Sequence, residues 1–135
     1  TMPVNADMIS GFRSQPQIVL DMMCKFSLAK ENRPRLYDAL RASLGEASVE
    51  VTAGDMLACS KFDISPRIAG ITTPALVICG TEDKMMPPSA SEQIVRSLPG
   101  AKLVLIEGAG HMVMMEQPQA FNAALQDFAL SLPAV

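Results

Sequence analysis

The sequence predicts an α/β protein in which a helical region precedes a strand-helix-strand-helix unit of a parallel sheet. Three observations carry this expectation. Leu76 to Cys79 and Leu103 to Ile106 are short apolar runs without polar interruption, as in strands covered on two faces. Amphipathic stretches with apolar residues at helical spacing lie between and after them. Before residue 65 the patterns are helical, with no convincing strand.

In the helical region, Ile18 to Ala29 is rich in Leu and Met, and Leu36 to Leu44 is amphipathic. Val49 to Cys59 reads as a further helix in spite of Gly54, and Gly11, Pro16, Pro34 and Gly45 mark the expected breaks. Ser65-Pro66 then reads as a helix cap and first turn that leads into the first strand. After that strand, Ser89 and Glu92 are spaced as a capping box, and Ile94, Val95 and Leu98 form an apolar stripe that ends at Pro99-Gly100. The second strand follows, and the βαβ crossover should be right-handed. Pro118 suits a first helical position, and Phe121, Ala124, Leu125, Phe128 and Leu132 then recur at helical spacing, so the last helix should lay its Phe face on the sheet.

A two-stranded parallel sheet leaves edges and faces in need of cover. The expectation is therefore a fragment of a larger α/β architecture, completed by a missing N-terminal half of the fold or by self-association through the sheet edges.

Composition narrows the function. With a net charge of −3, five phenylalanines, one tyrosine and no tryptophan, the chain has neither the basic stripe nor the stacking surface of a nucleic-acid binder. No apolar run approaches the roughly 20 residues needed to span a bilayer, and the first residues lack the basic-then-apolar order of a signal peptide, so the reading is cytoplasmic with no membrane partner. Cys24, Cys59 and Cys79 have no metal-like spacing and read as free buried thiols. With a single histidine there is no adequate ligand set for zinc, and no metal is expected.

Two titratable residues sit just past the predicted strands: Asp83 in Gly80-Thr81-Glu82-Asp83, and His111 in Gly108-Ala109-Gly110-His111. Open α/β sheets place their chemistry at these strand ends. A carboxylate that fixes the tautomer of a neighbouring imidazole makes that imidazole a general base. From spacing alone the bland reading stays open, since Asp is a common turn former and a lone His is more often structural. Asp55 and Asp63 are weaker candidates for the acid, better suited to a cap or turn. Ser27 and Lys30 spell Ser-x-x-Lys, but without companion motifs this is coincidence.

Taken together, Pro74 to Pro87, the helix ending in Leu98-Pro99-Gly100, Leu103 to His111, then Glu116-Gln117-Pro118 and Phe121 resemble the C-terminal third of an α/β-hydrolase in order, spacing and residue type. The resemblance implies a partial α/β-hydrolase fold: residues 1–64 as a helical lid, and residues 65–135 as the C-terminal part of the core. It implies Asp83 and His111 as the acid and base of a Ser-Asp-His triad, in that chain order. The implied parent is a serine hydrolase of small carboxylic esters, lactones or carbon-carbon bonded diketones, needing no cofactor. Glu116 and Pro118 match a recurrent pattern after the histidine, read here as helix initiation. Met86 and Met112 are candidate substrate contacts, as flexible thioethers beside the acid and the base.

The chain departs from the pattern in having no Gly-x-Ser-x-Gly, the elbow that carries the family's nucleophile, and no oxyanion-hole loop. By itself it is expected to be inactive. The alternative is a non-catalytic binding module, dimeric or completed by a partner, that has lost the nucleophile half.

Overall fold

The structure, a computed structural model, describes residues 6–133. Four helices come first: α1 (Ala6–Ser14), α2 (Pro16–Ser27), α3 (Arg33–Gly45) and α4 (Val49–Lys61). Pro16 begins α2 and Pro34 lies in the first turn of α3, where a missing N–H removes no helical bond. Gly45 ends α3, as expected of a break. Gly11, by contrast, lies inside α1. Its lack of a side chain has a packing use, because a Cβ there would stand 3.1 Å from the Val19 side chain of α2. The hydroxyl of Ser48 caps α4 by accepting from the Val51 amide at 3.3 Å.

Two apolar clusters hold these helices together. Phe12, Val19, Ala53 and Met56 join α1 and α4 to α2. Cys24, Leu28, Leu36 and Leu40 join α2 to α3, and Met112 and Met115 from the far end of the chain pack onto this second cluster. The helical segment is thus fastened to the rest of the molecule through its α2–α3 side.

From Lys61 to the first strand the chain makes a turn and a short 3-10 stretch, Ile68–Gly70, where a helix cap and first turn were expected at Ser65-Pro66. The sheet consists of β1 (Leu76–Gly80) and β2 (Lys102–Ile106), paired in parallel from Leu76 with Lys102 to Gly80 with Ile106. Between them runs α5 (Pro88–Ser97), and after β2 come α6 (Val113–Glu116) and α7 (Pro118–Leu130). The expected Ser89–Glu92 capping box does not form. Pro87 takes the N-cap position and Pro88 the first helical one, which leaves Ser89 inside the helix. Leu132 falls just past the end of α7.

Phe121 of α7 packs with Ile78, Val104, Ile106 and Val113, so the last helix does present a Phe to the sheet. Side chains alternate along a strand, so Val77, Cys79, Leu103 and Leu105 project from the opposite face. Cover of the strands is uneven: their C-terminal ends are buried, at Cys79, Gly80 and Ile106, and the preceding residues are half-buried or exposed. The expectation of strands covered on both faces therefore holds within this chain only where the strands end. Cys59 is also a correction, since it is exposed, whereas Cys24 and Cys79 are buried free thiols. Burial pushes the Cys24 thiol up, which keeps it protonated and inert. Among the described residues no helix is long and apolar enough to cross a membrane.

Candidate active site

The loops after β1 and β2 are knitted together before any side-chain chemistry is considered. Thr81 N–H donates to the Ile106 carbonyl at 3.0 Å, Glu82 N–H to the Ala109 carbonyl at 2.9 Å, and Gly108 N–H to the Thr81 hydroxyl at 3.2 Å. Gly80 permits this approach, because a Cβ there would collide with the backbone carbonyls of Ala109 and Gly110. Gly108 has φ +67°, the left-handed region in which glycine costs least.

These loops bring Asp83 and His111 into contact. Asp83 Oδ2 lies 2.9 Å from His111 Nδ1. Its other oxygen, Oδ1, accepts from the Met85 amide at 2.9 Å and the Met86 amide at 2.8 Å. The carboxylate is thus held at both oxygens, and its side chain is only 5% exposed where that of His111 is 37% exposed. A buried acceptor at Nδ1 selects the tautomer with the proton on that nitrogen. Nε2 has no hydrogen-bond partner among the described residues and is the ring nitrogen left free to accept a proton.

The helical segment braces this pair from the other side. The Ser27 carbonyl at the end of α2 accepts from the amides of His111, at 2.8 Å, and Met112, at 3.2 Å. The Ser27 hydroxyl donates to the Met85 sulfur at 3.0 Å, so Ser27 is buried and engaged, and the Ser-x-x-Lys spelling has no chemical consequence. Gly110 is required by close approach: a Cβ would stand 2.7 Å from the Ala29 nitrogen and 2.8 Å from the Ser27 carbonyl oxygen.

Glu116 corrects the sequence reading most. Its carboxylate initiates no helix; α7 begins behind Gln117, with no side-chain cap. The side chain instead turns back into the interior. Oε1 accepts from the Gly110 amide at 2.8 Å, and Oε2 accepts from the Ala29 amide at 2.8 Å and from Asn32 Nδ2 at 2.9 Å. The signal in the sequence was there, a Glu five residues after the histidine, but its partners are remote in the chain and no local pattern announces them.

Of the other candidates, the two aspartates fall elsewhere. Asp63 Oδ1 accepts from the Ser65 amide at 2.9 Å in a turn, and the Ser65 side chain, followed by this amide bond, holds its carboxyl below the usual range. Asp55 is exposed on α4. Met112 packs on the α2–α3 cluster, and the Met86 carbonyl faces the Cys79 thiol at 3.7 Å. No group of three or more His, Cys, Asp and Glu is placed to hold a metal ion among the described residues.

Residues 5–124 match the family model described as "Alpha/beta hydrolase family". The chain belongs to the α/β-hydrolase family. A 3-oxoadipate enol-lactonase from Acinetobacter baylyi is 30% identical over 96 residues, 71% of this chain and 36% of that protein. A 2-hydroxy-6-oxononadienedioate/2-hydroxy-6-oxononatrienedioate hydrolase from Dechloromonas aromatica is 35% identical over 66 residues, 49% of this chain and 23% of that protein. Among solved structures, a thermophilic esterase superposes with a TM-score of 0.83 at 31% identity, over 96% of this chain and 52% of that one. An esterase from Exiguobacterium antarcticum shares the fold, with a TM-score of 0.85 at 21% identity over 93% of this chain and 47% of that one. The chain thus spans about half the length of these α/β-hydrolase structures, and its matches cover about a third or less of the two curated relatives. What it contains is a partial α/β-hydrolase fold.

Proposed function

We propose that this chain supplies the acid and base of a serine hydrolase acting on small carboxylic esters, lactones or carbon-carbon bonded diketones. The observation that carries the reading is the 2.9 Å contact between His111 Nδ1 and the buried Asp83 carboxylate, with Nε2 unbonded among the described residues on a partly exposed ring. In this reading residues 1–64 are the lid over the pocket, and residues 65–135 the end of the core. Relatives named as an enol-lactonase, an oxononadienedioate hydrolase and an esterase support the substrate range.

The chemistry follows from the pair. A serine hydroxyl loses its proton to Nε2 as its oxygen bonds the substrate carbonyl carbon, and the imidazolium so formed is stabilised by Asp83. The same proton then passes to the leaving group as the acyl-enzyme forms, and water repeats the cycle to release the acid. Asp83 keeps its charge throughout, and its two bonds from Met85 and Met86 hold it in place for that role. The serine belongs to no Gly-x-Ser-x-Gly of this chain, so in our reading the remainder of the fold provides it, and the 135-residue chain alone has no turnover.

The test is labelling of the full-length protein with a serine-reactive phosphonate. His111→Ala should slow labelling by about 100-fold or more, as loss of a general base does. Equal rates for both proteins would sink the assignment.

A further inference from the structure

We infer that Glu116 is a positioning residue for His111, acting as a strap that fixes the histidine loop to the helical segment. The inference deepens the proposed acid-base role of His111 and rests on it. Glu116 is 2% exposed, yet no cation touches its carboxylate; its only partners among the described residues are N–H donors. A buried carboxylate left without such donors would be costly, so this arrangement has to be complete to persist.

The placement of the three donors shows what the strap holds. Gly110, bonded to Oε1, is the residue immediately before His111. Ala29 and Asn32, bonded to Oε2, lie in the link between α2 and α3. Asn32 Nδ2 also reaches the Gly108 carbonyl at 2.8 Å, and Arg35 Nη2 reaches the Glu116 carbonyl at 3.1 Å. The Ser27 carbonyl takes the His111 amide from the same side. Glu116 therefore holds the amide before His111, and the Ser27 carbonyl holds the amides of His111 and Met112 on either side of its Cα. The ring's approach to Asp83 depends on that backbone, because the histidine loop and the aspartate loop come from different strands.

A carboxylate is specifically required. Both oxygens accept, and a carboxylate offers no donor. In Glu116→Gln one of these atoms becomes an NH2 that must face either the Gly110 amide or the pair from Ala29 and Asn32, so one side of the strap is lost in either orientation.

The experiment uses the 135-residue chain, in which His111 is the only histidine, so a long-range 1H–15N spectrum reports one ring. In the wild-type chain the ring should show a protonated Nδ1 with a slowly exchanging, low-field proton. Glu116→Gln, folded by circular dichroism, should lose that slow exchange and show averaged nitrogen shifts. The control is Glu92→Gln, which removes only an exposed 3.5 Å pair with Arg96 and should leave the ring signals unchanged. A Glu116→Gln chain that is folded and less stable, but with wild-type ring signals, would overturn the inference in favour of a purely structural role. Should Glu116→Gln fail to fold, Asn32→Ala decides: it removes one donor to Oε2 and the bond to Gly108, and an unaltered ring in that folded variant would likewise overturn the inference. The ring is read without turnover, so a full-length protein that fails to take the phosphonate would remove the catalytic reading and leave this test standing.

Discussion

Leu28, at the end of α2, is 1% exposed, whereas Leu105, one residue before the end of β2, is 43% exposed. Around Leu28 the core is closed, with Cys24, Leu36 and Leu40 buried beside it and Met112 and Met115 packed against them. Around Leu105 the same kind of side chain projects from a sheet face that this chain covers incompletely. Parallel strands are stable with both faces and both edges occupied, and two strands with their flanking helices do not provide that. The difference teaches that packing around Leu28 is finished within this chain while that around Leu105 is not, and the helical segment itself still leaves Ile18, Met22, Phe26, Val51, Leu57 and Phe62 exposed.

The largest effect should come from the finished side. Leu28→Ala should destabilise the chain by about 2–5 kcal/mol, read by urea unfolding. A cost near zero would show that the helical core is looser than its burial indicates. Gly80→Ala should follow, at about 1–3 kcal/mol, since the new methyl meets the Ala109 and Gly110 carbonyls and pushes the two loops apart. The same spectrum of the His111 ring should then show a weakened bond to Asp83. An unchanged ring would break the link between loop packing and the Asp83–His111 pair.

On the unfinished side the effects should be smaller. Leu105→Ala should cost about 1 kcal/mol or less in this chain, because the side chain already keeps much of its contact with water. Light scattering sharpens the point: unpaired edges and the exposed face should drive concentration-dependent self-association, and Leu105→Lys should reduce it. A monomer at high concentration would contradict this.

The smallest effect belongs to the surface of the helical segment. Asp21 Oδ1 accepts from Arg41 Nε at 2.6 Å and from the Tyr37 hydroxyl at 3.0 Å. The Arg41 bond, then the Tyr37 bond, holds the Asp21 carboxyl below its ordinary value. A carboxyl lowered in the folded state contributes stability above its unfolded pKa and loses it as pH falls through the folded one. Asp21→Asn should therefore weaken the chain slightly near neutrality and flatten its acid unfolding curve between pH about 4 and the lowered value. An unchanged acid limb would show that the pair contributes nothing, as many exposed pairs do.

Much of this arrangement was legible before the structure. Uninterrupted apolar runs marked both strands, helical spacing marked α2 to α5 and α7, and the strand-end positions of Asp83 and His111 singled out the pair that the fold brings to 2.9 Å. Local capping was less legible, because Pro87-Pro88 displaced the Ser89–Glu92 box by setting the helix start earlier. Gly11 read as a break, yet in α1 it serves close packing against Val19. Pattern reports which face a residue presents and not what meets it there.

By itself, then, the sequence determined the order and type of most of the elements and singled out Asp83 and His111 as a strand-end pair, since periodicity and strand-end position are properties of neighbouring residues. Tertiary structure alone decided what holds that pair in place. Glu116 meets Ala29 across 87 positions of sequence, Asn32 meets Gly108 across 76, and the Ser27 hydroxyl meets Met85 across 58. Such contacts depend on loops from separate elements arriving at one point, and a buried carboxylate with its donors becomes visible only when the chain has closed around it.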